Sequence, residues 1–116
     1  MYASWSYYFM YISVPPVISS TNSPQITIIQ SNVTLTCQSS GDPAPKFDWL
    51  NPRGQSVSSK YGTYKSIGQS VYDSTHMIQN ITMEDIGQWT CRACNIMGCD
   101  ESSVQIIVEG NCAFKL

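Results

Sequence analysis

From residue 32 to residue 38 the chain alternates. Val33, Leu35 and Cys37 fall on one side, and Asn32, Thr34 and Thr36 on the other. Successive side chains of a strand point to opposite faces, so this period of two predicts a half-buried strand. The same pattern returns along the chain. Phe47 and Trp49 share a face, Trp89, Cys91 and Ala93 share another, and Val104, Ile106 and Val108 a third. A further strand is expected over residues 75–81. Residues 14–18 and 25–29 read as extended edge pieces, the first because Pro15 and Pro16 cannot donate to a central ladder. No segment shows a helical period.

Turn chemistry falls between these runs. Asn22-Ser23-Pro24 and Asn51-Pro52-Arg53-Gly54 are turn signals, and residues 39–45 read as a loop. Asn95-Ile96-Met97-Gly98 reads as a tight hairpin, with Gly98 suited to positive φ. Thr82-Met83-Glu84-Asp85 fits a helix-start pattern and predicts a single helical turn. Residues 55–70 are rich in Gly and Ser and predict one or two short edge strands. Short strands separated by regular turns imply an all-β sandwich.

At 116 residues the chain is one domain with a modest core. Charged residues make up 12% and the net charge is −2. No basic patch points to nucleic acid, and no charge run points to a tail. Five cysteines in so short a chain indicate an oxidising compartment, and the odd count leaves one thiol over. Asn32-Val33-Thr34 and Asn80-Ile81-Thr82 are N-glycosylation sequons, and both asparagines are expected to face solvent. No segment reaches the ~18–20 apolar residues of a membrane span.

These pieces together resemble the immunoglobulin superfamily, and its I-set closely. The resemblance is carried by Val33-Thr34-Leu35-Thr36-Cys37, Gly41-Asp42-Pro43-Ala44-Pro45, Phe47-Asp48-Trp49, Asp85-Ile86-Gly87-Gln88-Trp89-Thr90-Cys91 and Arg92-Ala93-Cys94-Asn95-Ile96-Met97-Gly98. It implies a two-sheet Greek-key sandwich with a central inter-sheet disulfide between Cys37 and Cys91, packed on Trp49. The alternative is two buried thiols, as in intracellular members of the family. The domain is expected over residues 14–109, with 1–13 a linker or the tail of a preceding region and 110–116 a C-terminal linker. Leu35, Trp49 and Trp89 are expected in the core. Trp89 stands where the family usually has tyrosine, so that corner should be repacked around an indole N–H. His76 falls at a usually apolar inward position and is expected to be neutral and hydrogen-bonded. Gln30-Ser31 replace a common glycine, so that turn should differ.

The remaining cysteines are unusual. Cys94 should face outward on its strand, and the hairpin brings Cys99 beside it, which fits a cross-strand disulfide. Cys91-x2-Cys94-x4-Cys99 with His76 has metal-like spacing. Adjacent strand positions face opposite ways, however, and Cys91 is better used by Cys37. Cys112 is left as the odd thiol. No catalytic constellation, phosphate-binding loop or cofactor site is legible. Tyr61, Tyr64 and Tyr72 are candidates for a contact face. By resemblance the function is extracellular protein–protein recognition, foremost cell adhesion, without catalysis. The expected partner is a cell-surface or matrix protein, with no nucleic acid and no small-molecule substrate. Membrane attachment would come only through another part of the parent chain. The alternatives are a ligand-binding or spacer domain of a receptor ectodomain, and a structural domain of a muscle-type intracellular array.

Overall fold

The computed structural model describes residues 12–57, 63–68 and 70–109. Alternation becomes two packed sheets. Strands β1 (Val14–Thr21), β3 (Val33–Asp42), β7 (Val71–Ile78) and β6 (Thr63–Gly68) form one sheet in the order β1-β3-β7-β6. Strands β2 (Gln25–Thr27), β9 (Gly98–Val108), β8 (Gly87–Asn95), β4 (Lys46–Leu50) and β5 (Ser56–Val57) form the other, in the order β2-β9-β8-β4-β5. All pairings are antiparallel except β2 with β9. The chain changes sheet between β1 and β2, at Asn22-Ser23-Pro24, where the Ser23–Pro24 peptide is cis.

The core lies between the inward faces. Val33, Leu35 and Cys37 enter from β3, Ile78 from β7, Trp49 from β4, Trp89 and Cys91 from β8, and Val104 and Ile106 from β9. Ile81 closes one end of it. Leu35, Val104 and Ile106 are completely buried, each burial contributing roughly 1.5–3 kcal/mol relative to exposure. Cys37 and Cys91 are bonded across the two sheets, with Cα atoms 6.4 Å apart. Trp49 lies against them in the same cluster, and its indole N–H donates to Ser74 Oγ at 3.2 Å.

Several boundaries differ from the sequence expectation. The stretch 39–45 is not all loop. Residues 39–42 continue β3, because Val17 and Ile18 of β1 pair with Ser40 and Ser39, and Val71 and Tyr72 of β7 pair with the same two. Ser39 and Gly41 keep the inward phase of the strand without any apolar side chain to announce it. The strand expected at 75–81 starts at Val71 and ends at Ile78 for the same reason: its first half, Val71-Tyr72-Asp73-Ser74, pairs on both sides but is largely polar. It stops where Asn80 adopts φ 56°.

The helix-start motif forms one 3₁₀ turn, Met83–Asp85. The Thr82 N–H donates to the Asp85 carboxylate at 2.9 Å, and Asp85 N–H donates back to Thr82 O at 3.0 Å. The Trp89 indole N–H then donates to Asp85 O at 2.9 Å. A donor-only ring thus ties the corner to the start of β8. The turn at Gln30-Ser31 keeps a left-handed residue, Gln30 at φ 75°, although glycine would hold it at less cost. Reciprocal bonds from Gln30 N–H to Ile81 O and from Ile81 N–H to Ser31 O, at 2.8 and 2.9 Å, hold it there.

His76 departs from expectation in one respect. It is buried, 8% exposed, between Trp49 and Trp89, with ring centroids 6.2 and 5.5 Å away. Its Nδ1 is buried without a hydrogen-bond partner. The imidazole therefore sits as an aromatic slab between two indoles. Burial pushes its pKa down from the usual 6.5, because removal from water penalises the charged form.

Candidate protein-binding edge

Strands β8 and β9 meet in the hairpin Asn95-Ile96-Met97-Gly98, and three devices fix its tip. Gly98 takes φ 146°, which an L side chain rarely adopts. The Asn95 carboxamide oxygen accepts the Met97 N–H at 2.8 Å, a local turn-forming bond suited to a short polar side chain. The Asn95 Nδ2 donates outward to Val14 O at 2.8 Å and Pro43 O at 2.9 Å. One side chain thereby joins the hairpin, the start of β1 and the β3–β4 connection. The sequence marked Asn95 only as a turn residue. Nothing in the pattern showed that its amide would reach two segments distant along the chain.

Behind the tip, Cys94 and Cys99 are directly paired and bonded, with Cα atoms 4.1 Å apart. On the bonded rim, Arg92 Nη2 lies 3.9 Å from Cys99 Sγ. Asp48, Arg92 and Glu101 stand side by side across β4, β8 and β9. The Arg92–Glu101 pair, at 3.6 Å, is half exposed and worth little to stability.

What this rigid end presents is apolar. Ile96 is 82% exposed and Met97 51%. Beside them an open groove of about 430 Å³ is lined by Pro43, Ala44, Lys46, Cys94, Asn95 and Ile96. Lys46 makes no ion pair among the described residues. The groove therefore combines apolar walls with one cationic side chain.

The sequon asparagines lie at the other end of the sandwich. Asn32 precedes β3 and Asn80 follows β7, both exposed. They are neighbours in space: the Asn80 backbone N–H donates to Asn32 Oδ1 at 3.0 Å. This bond leaves the Asn32 Nδ2, the atom a glycan would use, unengaged by it. Tyr72 is half-buried on β7. Tyr61, Cys112 and the side chain of Tyr64 lie outside the described residues. Among the described residues no three His, Cys, Asp or Glu side chains converge on a metal-sized site. His76 is packed in the core, and Cys91, Cys94 and Cys99 are in disulfides.

An inter-sheet disulfide packed on a tryptophan, Greek-key strand order and a corner tied to the second cysteine's strand define a class of fold. Residues 15–95 match the family model described as "Immunoglobulin domain", and the chain belongs to that family. It is 28% identical over 95 residues to mouse vascular endothelial growth factor receptor 2, covering 82% of this chain and 7% of that protein. It is 33% identical over 95 residues to rat vascular endothelial growth factor receptor 1, with the same coverage. The chain thus spans a small fraction of the length of these relatives. Titin domain M7 superimposes with a TM-score of 0.69 at 20% identity, covering 86% of this chain and 99% of that one, which shows a shared fold.

Proposed function

We propose that the chain is an extracellular recognition module that binds a protein partner through the β8–β9 hairpin end and carries out no catalysis. The observation that carries this reading is the exposed Ile96-Met97 tip on a support fixed by the Cys94–Cys99 bond and by Asn95. Large apolar side chains held rigidly in water lose little conformational entropy on binding and gain the most from burial. The groove beside them would take an apolar side chain, and Lys46 a carboxylate next to it. Two disulfides favour an oxidising compartment outside the cell, and titin-like intracellular domains share the fold without deciding the matter. Glycans on Asn32 and Asn80 would cover the opposite end and leave the hairpin open. The domain is taken as residues 14–109, I-set in type, with the flanking segments as linkers.

A second reading has its own support. The similarity to two receptors named for a growth factor favours a module of a receptor ectodomain over a free-standing adhesion domain. Both readings use the same surface and differ in the parent protein.

The test is secretion of the chain from a eukaryotic cell, disulfide and glycan mapping by mass spectrometry, and display on fluorescent beads against a panel of cell types. Links Cys37–Cys91 and Cys94–Cys99, sugar on Asn32 or Asn80, and bead binding lost in Ile96→Asp are the expected results. Free thiols with bare asparagines would move the chain to the intracellular structural class.

A further inference from the structure

The two disulfides among the described residues sit in opposite surroundings. Cys37 and Cys91 are 1% and 0% exposed, sealed between the sheets. Cys99 is exposed and Cys94 half-buried, paired directly across β8 and β9. A thiol dissolved in water therefore reaches the second bond and is kept from the first. The loops they close differ as well, with separations of 54 and 5. A crosslink stabilises a fold by as much as the fold stabilises the crosslink, and a short loop gives the smaller effect. The fold thus holds Cys94–Cys99 less strongly against reduction than Cys37–Cys91.

Cations flank the exposed bond on both sides. Arg92 Nη2 lies 3.9 Å from Cys99 Sγ. Lys46 stands directly opposite Cys94 on β4, and the two residues line the same groove. Glu101 shares the Arg92 guanidinium at 3.6 Å, whereas Lys46 makes no ion pair among the described residues. Thiol–disulfide exchange begins with an attacking thiolate and releases another, and a nearby positive charge stabilises such an anion. Each of the two cysteines has a cationic neighbour to do this.

We propose that Cys94–Cys99 is a thiol-exchange site whose substrate is an external dithiol, and that its reduction unlocks the hairpin tip. A thiolate of the dithiol attacks the exposed Cys99 Sγ. The Cys94–Cys99 bond breaks, and Cys94 leaves as a thiolate opposite Lys46. The second thiol of the dithiol, as its thiolate, attacks the dithiol sulfur of the mixed disulfide, and Cys99 leaves beside Arg92. Two electrons pass to this chain, the dithiol closes to a disulfide, and its two protons end on Cys94 and Cys99. The tip is then held by backbone pairing and by the bonds of Asn95, without its covalent clip. Cys37–Cys91, buried in the core, stays intact. The consequence for binding rests on the hairpin being the recognition end proposed above; the exchange itself does not.

Timed exposure of the folded, secreted chain to dithiothreitol, quenched with iodoacetamide and read by peptide mass spectrometry, tests the exchange. Cys94 and Cys99 should be alkylated at least about tenfold sooner than Cys37 and Cys91. Arg92→Gln and Lys46→Gln should each slow that reduction about threefold or more, since each removes a charge that favours a thiolate. Joint reduction of both bonds, or no reduction short of unfolding, overturns the proposal. Rates equal to those of the unaltered chain in both variants overturn it too, since the bond is then no more than an exposed clip. Bead binding should fall about threefold or more once Cys94–Cys99 is open. Binding unchanged by reduction overturns the unlocking. Beads that bind no cell in either state defeat the recognition reading instead, and the alkylation pattern still decides the exchange.

Discussion

At the residue scale, His76 and Asn32 show how little a residue type says before its neighbours are known. His76 broke an apolar pattern, and a single imidazole in a strand reads equally well as core or as ligand. Only the two indoles around it and its unpartnered Nδ1 decide that it is a core residue held neutral. The consequence for pH follows from linkage. The unfolded chain takes up the proton near 6.5, and the folded chain only at lower pH. Stability is therefore full above about 6.5, falls as pH drops below it, and levels off once the folded state also protonates. Thermal melts between pH 7.5 and about 4.5 should show this fall. In His76→Leu this component should disappear, with no loss at neutral pH, since an orphaned polar atom is replaced by carbon. Asn32 combines two roles, a glycan acceptor by sequence and a strand-end tie by structure. Thr34→Val removes the sequon alone, whereas Asn32→Ala also removes the acceptor for Asn80 N–H. Both should lose the Asn32 glycan by mass. Measured on deglycosylated protein, only Asn32→Ala should lose stability, by about 1 kcal/mol.

At the element scale, strand phase was legible and strand length was not. β3, β8 and β9 were visible wherever Val, Leu, Ile, Trp or Cys marked alternate positions. Where Ser39, Gly41 and Ser74 hold the inward positions, the same strands continue unseen, because backbone pairing needs no apolar side chain. The corner was half legible. Its Thr82-x-x-Asp85 signature predicts a turn, but that Trp89 would use its N–H on Asp85 O depends on the ring's placement. Trp89→Phe keeps most of the apolar ring and deletes that bond. It should cost roughly 1–3 kcal/mol by denaturant melts, from the lost bond and a small cavity. The hairpin clip gives a further prediction. Cys94→Ser with Cys99→Ser opens a loop of separation 5 and should cost only about 2 kcal/mol in the chain-entropy model. The fold should survive, and any larger loss of partner binding would measure what rigidity of the tip contributes.

At the scale of the whole molecule, the Cys37–Cys91 bond is the one covalent link between the sheets, among the described residues. It closes a loop of separation 54, which corresponds to about 4 kcal/mol in the same model. Cys37→Ala with Cys91→Ala should therefore destabilise about twice as much as opening the hairpin clip, and for a domain with a modest core that is a large share of the total. Chemical denaturation of the two double mutants side by side measures the ratio. The sequence alone determined the all-β class, the sandwich and the apolar inward-facing residues, because burial on one side of a strand imposes a period of two on the chain itself. Only the tertiary structure decided which distant pieces meet: Asn32 with Asn80, Asn95 with Val14 and Pro43, and Ile26 with Ile107. Those contacts depend on sheet order and register. Many chain segments share the same alternation, so periodicity fixes which face of a strand is buried and leaves open which strand lies next to it.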